Sequence, residues 1–178
     1  MKTCLFEEVP GLYRIIALQP FRRTEGVFFD IVPMAALPRI DGIDRVIHAS
    51  DALSPGSVVG VERPWYVHPH QEDNLIVLAG RRTVDVWSKA SGQMQTFVVE
   101  PQRIARDGQV VFDGPAMLVW PCNVFHRIVS GAEGSASLNF AVRHEGFDIK
   151  TNFSIYDLDL STGESRVIRP GHMDQMTS

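Results

Sequence analysis

Cysteine is nearly missing from this sequence: Cys4 and Cys122 are the only two among 178 residues. So few thiols exclude a disulfide scaffold, and their separation fits neither a zinc ribbon nor a Cys-x-x-Cys redox pair. Two reduced thiols in a cytoplasmic protein are expected. No run of about 18 apolar residues exists to span a bilayer. The acidic pair Glu7-Glu8 stands where a signal peptide would continue its apolar stretch. A basic excess is lacking too: the formal charge of −4 and pI near 5.8 point away from nucleic acid and anionic membrane surfaces. Also absent are a Gly-rich phosphate loop, a serine nucleophile elbow, paired catalytic carboxylates and any internal repeat. No amphipathic helical stretch of a dozen residues occurs ahead of the C-terminal region.

What is present reads as one folded domain. Hydrophobic residues make up 44% and charged residues 21%, ordinary values for a chain long enough to bury its own core. Leu12–Leu18, Gly26–Val32 and Asp44–His48 are short, branched and aromatic, as strands are, and Pro10, Pro20, Pro33 and Pro38 forbid a long helix between them. Ser57–Val61 follows the turn Ser54-Pro55-Gly56. From Val58 the punctuation becomes regular. Gly80-Arg81-Arg82 separates Leu75–Ala79 from Thr83–Trp87, and Ala90–Gln93 leads into Met94–Glu100. Gln109–Phe112 and Ala116–Trp120 follow, and Ser130–Gly134 separates Val124–Val129 from Ser135–Arg143. Short strands about ten residues apart with Gly-rich turns predict an all-β antiparallel sandwich or barrel. Residues 1–56 form an N-terminal strand extension that packs on the barrel or on a partner, so a homodimer is expected. Residues 57–145 form the barrel. Residues 146–178 form a C-terminal hairpin and a polar, frayed tail within the same domain.

Chemistry concentrates in Tyr66-Val67-His68-Pro69-His70-Gln71-Glu72-Asp73. On an extended chain His68 and His70 share a face. Counting back from Gly80, Asp73 lies on the face of Leu75 and Val77, so it is the better acid, with Glu72 as the alternative. Downstream, Pro121 and Asn123 shape a turn that lifts His126 onto the next strand, facing inward with Ile128 and Ser130. Three imidazoles and a carboxylate suit a first-row transition metal. Taken singly, the His68–His70 pair reads first as exposed strand histidines and His126 as a satisfied core histidine; it is their combination that favours a metal. Tyr66, on the face of the His-x-His pair, is the candidate nearest the site, and Trp120 and Asn139 are further candidates around it. Cys122 reads as packing under its turn, Arg81-Arg82 and Arg22-Arg23 as solvated strand ends. His48, His144 and His172 lack partners at ligand spacing.

Gly60, His68, His70, Asp73 and Gly80 resemble the first motif of the cupin superfamily. Gly114, Pro121, Asn123, His126 and Ser130 resemble the second, in the right order, over residues 58–143. The family has Glu where this chain has Asp73, and Gly and Asn where it has Asn123 and Ser130. The resemblance implies an RmlC-like jelly-roll barrel (a double-stranded β-helix) with its site in the mouth. It also implies one divalent metal (Fe, Mn, Ni or Zn) on His68, His70, Asp73 and His126. The expected function is a metal-dependent enzyme, dioxygenase-like or isomerase-like, acting on a small organic molecule. The alternative is a non-catalytic metal- or ligand-sensing module. Related barrels that epimerise nucleotide-linked sugars use a histidine without metal; their motif is not recognisable here, which sets that branch below the other two.

Overall fold

A computed structural model describes residues 4–37, 39–58 and 60–176. The N-terminal part holds β1 (Leu5–Val9), β2 (Tyr13–Ala17), β3 (Gln19–Thr24), β4 (Val27–Ile31) and β5 (Gly42–His48). The barrel continues with β6 (Leu53–Ser54), β7 (Trp65–Val67), β8 (Gln71–Trp87), β9 (Gln95–Glu100) and β10 (Arg103–Arg106). It closes with β11 (Gln109–Asp113), β12 (Ala116–Trp120) and β13 (Phe125–Arg143). After the one-turn helix α1 (Ile149–Asn152) come β14 (Ile155–Leu158) and β15 (Ser165–Arg169).

Two long strands organise the sheet. β8 and β13 pair antiparallel from Phe125 opposite Trp87 to Arg143 opposite Gln71. Each serves both halves of a rolled sheet. The first half of β8 pairs with β12, its second half with β9. The first half of β13 pairs with β6 and β7, its second half with β5. The expected turns at Gly80-Arg81-Arg82 and Ser130–Gly134 are therefore bulges within continuous strands. Gly80 (φ +69°) and Gly134 (φ +73°) take the left-handed conformation at neighbouring points, where the register shifts between Ser130 and Ser135. A side chain on Gly80 would strike the Gly134 carbonyl oxygen, so glycine here permits close backbone approach rather than chain reversal. Asp73, Leu75 and Val77 are buried before the bulge, Arg82, Val84 and Val86 after it.

The main core fills the roll between the sheet halves. Ile15, Leu75, Val84, Phe97, Ile104 and Leu118 are each at most 2% exposed. Burying side chains of this size contributes roughly 1.5–3 kcal/mol apiece before entropy is counted. Ser57–Val61 shows only an isolated bridge between Val58 and Val61, with Val59 outside the described residues. The tail is not simply frayed: Gly171–Asp174 forms a 3-10 turn, and Arg169 pairs with Asp174 at 2.7 Å. Its last two residues lie outside the described set. β3 and β4 form a separate two-stranded sheet with Phe21, Phe28 and Phe29 exposed. Among the described residues no helix is long and apolar enough to cross a membrane.

Candidate active site

Three residues that the sequence nominates come together inside the barrel. One ligand atom each of His68, Asp73 and His126 lies within 4.8 Å of the others, and all three side chains are buried. β8 supplies Asp73, β13 supplies His126, and His68 follows β7 directly. Asp73 Oδ2 is 3.3 Å from His68 Nε2 and 3.8 Å from His126 Nε2. The imidazole rings meet edge to face at 4.7 Å.

His70 does not join them. β7 ends at Val67 and the chain turns through Pro69 and His70 before β8 begins, so the period-two alternation that would align the two histidines does not apply across them. His70 is exposed, and its ring lies against Gly146. Glu72, on the opposite face of β8 from Asp73, pairs with Arg14 at 2.7 Å. Cys122 stays outside the cluster, and burial pushes its thiol up, away from reactivity.

Asp73 is held from every side. Its Oδ1 accepts from Gln71 Nε2 and Asn139 Nδ2, both at 2.8 Å, and Oδ2 accepts from Trp120 Nε1 at 3.1 Å. Burial would raise its pKa, but the His68 charge and these donors hold the carboxyl well below the usual range. His68 has an acceptor at each nitrogen: Asn152 O lies 2.5 Å from Nδ1, and Asp73 faces Nε2. An imidazole between two acceptors is a double donor, hence an imidazolium. Burial works against that charge, and the Asp73 carboxylate outweighs it, so the pKa is raised. His126 differs. Its Nδ1 lies 3.2 Å from Val124 O, which can only accept, so Nε2 carries a lone pair. Burial and the neighbouring His68 charge push its pKa down to about 3. The cluster thus sets a charged histidine against a neutral one.

The cluster opens into a cavity of about 310 Å³ that also takes in Tyr66, Trp120, Asn139 and Phe153. The Tyr66 ring sits 6.1 Å from that of His68 and 6.0 Å from that of His126, and burial raises its phenol pKa. Phe153 packs edge-on against His68 at 4.9 Å. Sequence reasoning missed Gln71, whose two-residue spacing from Asp73 on one strand was a readable signal. It also missed the Asn152 carbonyl, for which no local signal exists. Arg82 corrects the expectation of a solvated strand end: it is 2% exposed and lines the same cavity.

The donor set fits a divalent transition metal. Both Nδ1 atoms face backbone carbonyls, the usual way a protein orients metal-binding imidazoles. Both Nε2 atoms and Asp73 Oδ2 are then free to share one cation once His68 gives up its proton.

No protein-family model and no curated protein matches the sequence. Solved structures do. A sugar 3,4-ketoisomerase from Thermoanaerobacterium thermosaccharolyticum, in complex with TDP, superposes with a TM-score of 0.54 at 14% identity, covering 76% of this chain and 82% of its own. The dTDP-4-dehydrorhamnose 3,5-epimerase from Sulfolobus tokodaii gives 0.56 at 14% identity, with 80% and 76% covered. A TDP-quinovose 3,4-ketoisomerase from Campylobacter jejuni gives 0.51 at 14%, with 76% and 87% covered. The fold they share with this chain is an RmlC-like jelly-roll barrel. These similar structures come from the sugar-isomerising branch that the motif comparison had set lowest.

Proposed function

We propose that this chain is an isomerase-type cupin enzyme that moves a proton on a small carbonyl-bearing molecule held in the barrel. The observation that carries the reading is the split between the two histidines. His126 Nε2 is the cluster nitrogen left as a free base, while His68 is fixed as a buried cation by Asp73 and Asn152. Environments that drive two neighbouring groups apart assign the acid–base roles. His126, unprotonated in the resting site, takes the proton from the carbon beside the carbonyl. The negative charge growing on the enolate oxygen, stabilised by the His68 cation, offsets the burial and the His68 charge that otherwise hold the His126 pKa near 3. Returning a proton to the other face of the same carbon completes an epimerisation. Where that carbon bears a hydroxyl, passing the hydroxyl proton to the enolate oxygen and the carbon-bound proton to the former carbonyl carbon completes a keto isomerisation, in either case without a redox partner. Asp73 is a positioning residue: it holds His68 charged. The ketoisomerases and epimerases of the same fold support this class of reaction.

The test is proton–deuterium exchange in D2O, followed by NMR, on keto-sugars that include TDP-4-keto-6-deoxyglucose, the ligand of one similar structure. Wild type should exchange the proton beside the carbonyl, and His126→Asn should not. Exchange at equal rates in both, or none across the panel, refutes the reading.

The convergence of two Nε2 atoms and a carboxylate favours a second reading, in which His68, Asp73 and His126 hold Fe, Mn, Ni or Zn. The metal, when bound, would supply Lewis-acid polarisation or a site for dioxygen. Elemental analysis of protein purified aerobically and anaerobically, with oxygen uptake measured alongside, separates this from the metal-free isomerase. Ligand-dependent melting shifts without turnover would instead identify a sensing module. We further infer a homodimer in the reducing cytoplasm. The apolar β3–β4 hairpin is the element a second copy would cover.

A further inference from the structure

The cavity has a second end that the proposed chemistry does not use. Arg82, 2% exposed, projects into it from β8 beyond the bulge. Its Nε donates to Ser135 Oγ at 3.0 Å and its Nη2 to Val46 O at 3.1 Å. Of the five N–H donors on a guanidinium, these bonds use two. Among the described residues no carboxylate lies within ion-pair distance of it. Asp44, which lines the same cavity, instead accepts from Asn139.

Two more polar groups beside Arg82 lack partners. Ser137 is 1% exposed with an unbonded Oγ, and His48 has a buried, unbonded Nδ1. Both line the cavity. Burial and the Arg82 charge push the His48 pKa down to about 4, which leaves the ring neutral. A buried cation without a counter-charge is costly, and unbonded buried polar atoms add to that cost. His48 lies opposite Ser135, which accepts from Arg82 Nε, and Val46, which accepts from Arg82 Nη2, lies opposite Ser137. Asp44 lies opposite Asn139, which bonds Asp73. From that row to the Val46 and His48 rows is about 7 to 13 Å along the strand.

We propose that Arg82, with Ser137 and His48, forms an anion subsite, so that the substrate is a carbonyl compound bearing a carboxylate or phosphate. This substrate class rests on the isomerase reading above. The anion takes the unused N–H groups of Arg82 and a hydrogen bond from Ser137 Oγ. It thereby sets the carbonyl end of the molecule at His126. Four carbon–carbon bonds, about 5 Å in projection, plus a hydrogen bond of about 3 Å at each end, span the gap.

The probe is 5-oxohexanoate beside its neutral isostere 5-oxohexanamide, with dissociation constants read by ligand-observed NMR and deuterium exchange read on the same samples. Inorganic phosphate, as a competitor, distinguishes a phosphate-sized from a carboxylate-only subsite, either of which supports the proposal. Wild type should bind the acid about tenfold more tightly than the amide. Arg82→Gln should abolish that preference, Arg82→Lys should retain part of it, and Ser137→Ala should weaken it. Equal binding of acid and amide by wild type overturns the inference and needs no folded variant to show it. A preference unchanged in a folded Arg82→Gln protein overturns it as well. Charge preference without proton exchange on this probe or on any of the keto-sugars leaves the subsite standing and removes the isomerase reading. Exchange without charge preference does the reverse.

Discussion

Replacing Asp73 by Asn separates its role as counter-charge from its shape. The carboxylate accepts four contacts, from Gln71, Asn139, Trp120 and His68. An amide can satisfy one pair only; its NH2 must confront either Gln71 and Asn139 or Trp120 and His68. The second arrangement conflicts less, because His68 can drop its Nε2 proton and accept instead. Removing one partner of a buried ion pair costs about 3–5 kcal/mol, and a domain of this length loses about 2–4 °C of melting temperature per kcal/mol. The expected drop is therefore about 6–20 °C, measured on chelator-dialysed protein so that no divalent ion competes with the proton. Its pH dependence has a definite sign. The folded pKa of His68 lies above the ordinary 6.5, so its contribution is complete below 6.5 and is lost as pH rises through the folded value. The folded pKa of Asp73 lies below the ordinary 3.8, so its contribution is present above 3.8 and is lost on acidification. The gap between wild type and Asp73→Asn should be widest between about pH 4 and 6.5 and narrow toward pH 9. Titration of the His68 ring by NMR should show its pKa above 6.5 in wild type and below it in the variant. A constant stability gap across pH, or an unmoved His68 titration, refutes the charged-pair account.

His126, neutral with a folded pKa of about 3, stabilises above pH 6.5 and loses that contribution as pH falls. His126→Asn, whose amide can still donate to Val124 O, should flatten the fall in melting temperature between pH 6.5 and 4; an unchanged slope contradicts the assignment. Gly80→Ala should cost more than the roughly 1–3 kcal/mol of left-handed strain alone, because its new methyl meets Gly134. Gly92→Ala, with φ +64° and open space around it, should show only the strain; equal losses in chemical denaturation would contradict the close approach. Phe28 is 72% exposed on the β3–β4 hairpin, and Phe28→Glu should convert a sedimenting dimer to monomer without loss of folding. A wild-type monomer at micromolar concentration contradicts the dimer.

The sheet was legible where alternation and turn residues agree, as along Asp73, Leu75 and Val77, and that counting placed Asp73 correctly in the interior. It failed where a glycine bends a strand without ending it: Gly80 and Gly134 read as turns yet sit inside β8 and β13. His70 was misplaced because face-sharing assumes an extended backbone, which Pro69 interrupts. Arg82 was read as solvated because arginine usually is. Only the pairing of β8 with β13, set by contacts fifty residues apart, turns it inward. Asn152, contributing through its carbonyl, leaves no trace in residue identity.

Asp73 and Arg82 are nine positions apart on one strand, an odd interval that strict alternation would send to opposite sides. His126 and Ser137 on β13 are likewise an odd number apart. The register breaks, at Leu78 in β8 and between Ser130 and Ser135 in β13, reverse the parity of both strands near the same level, and so let one interior own both ends of the cavity. A single-residue deletion in either strand would turn its distal half inside out, and a second deletion in the partner would turn that half out as well. This pocket can therefore change length only in steps of two residues, made in both strands together.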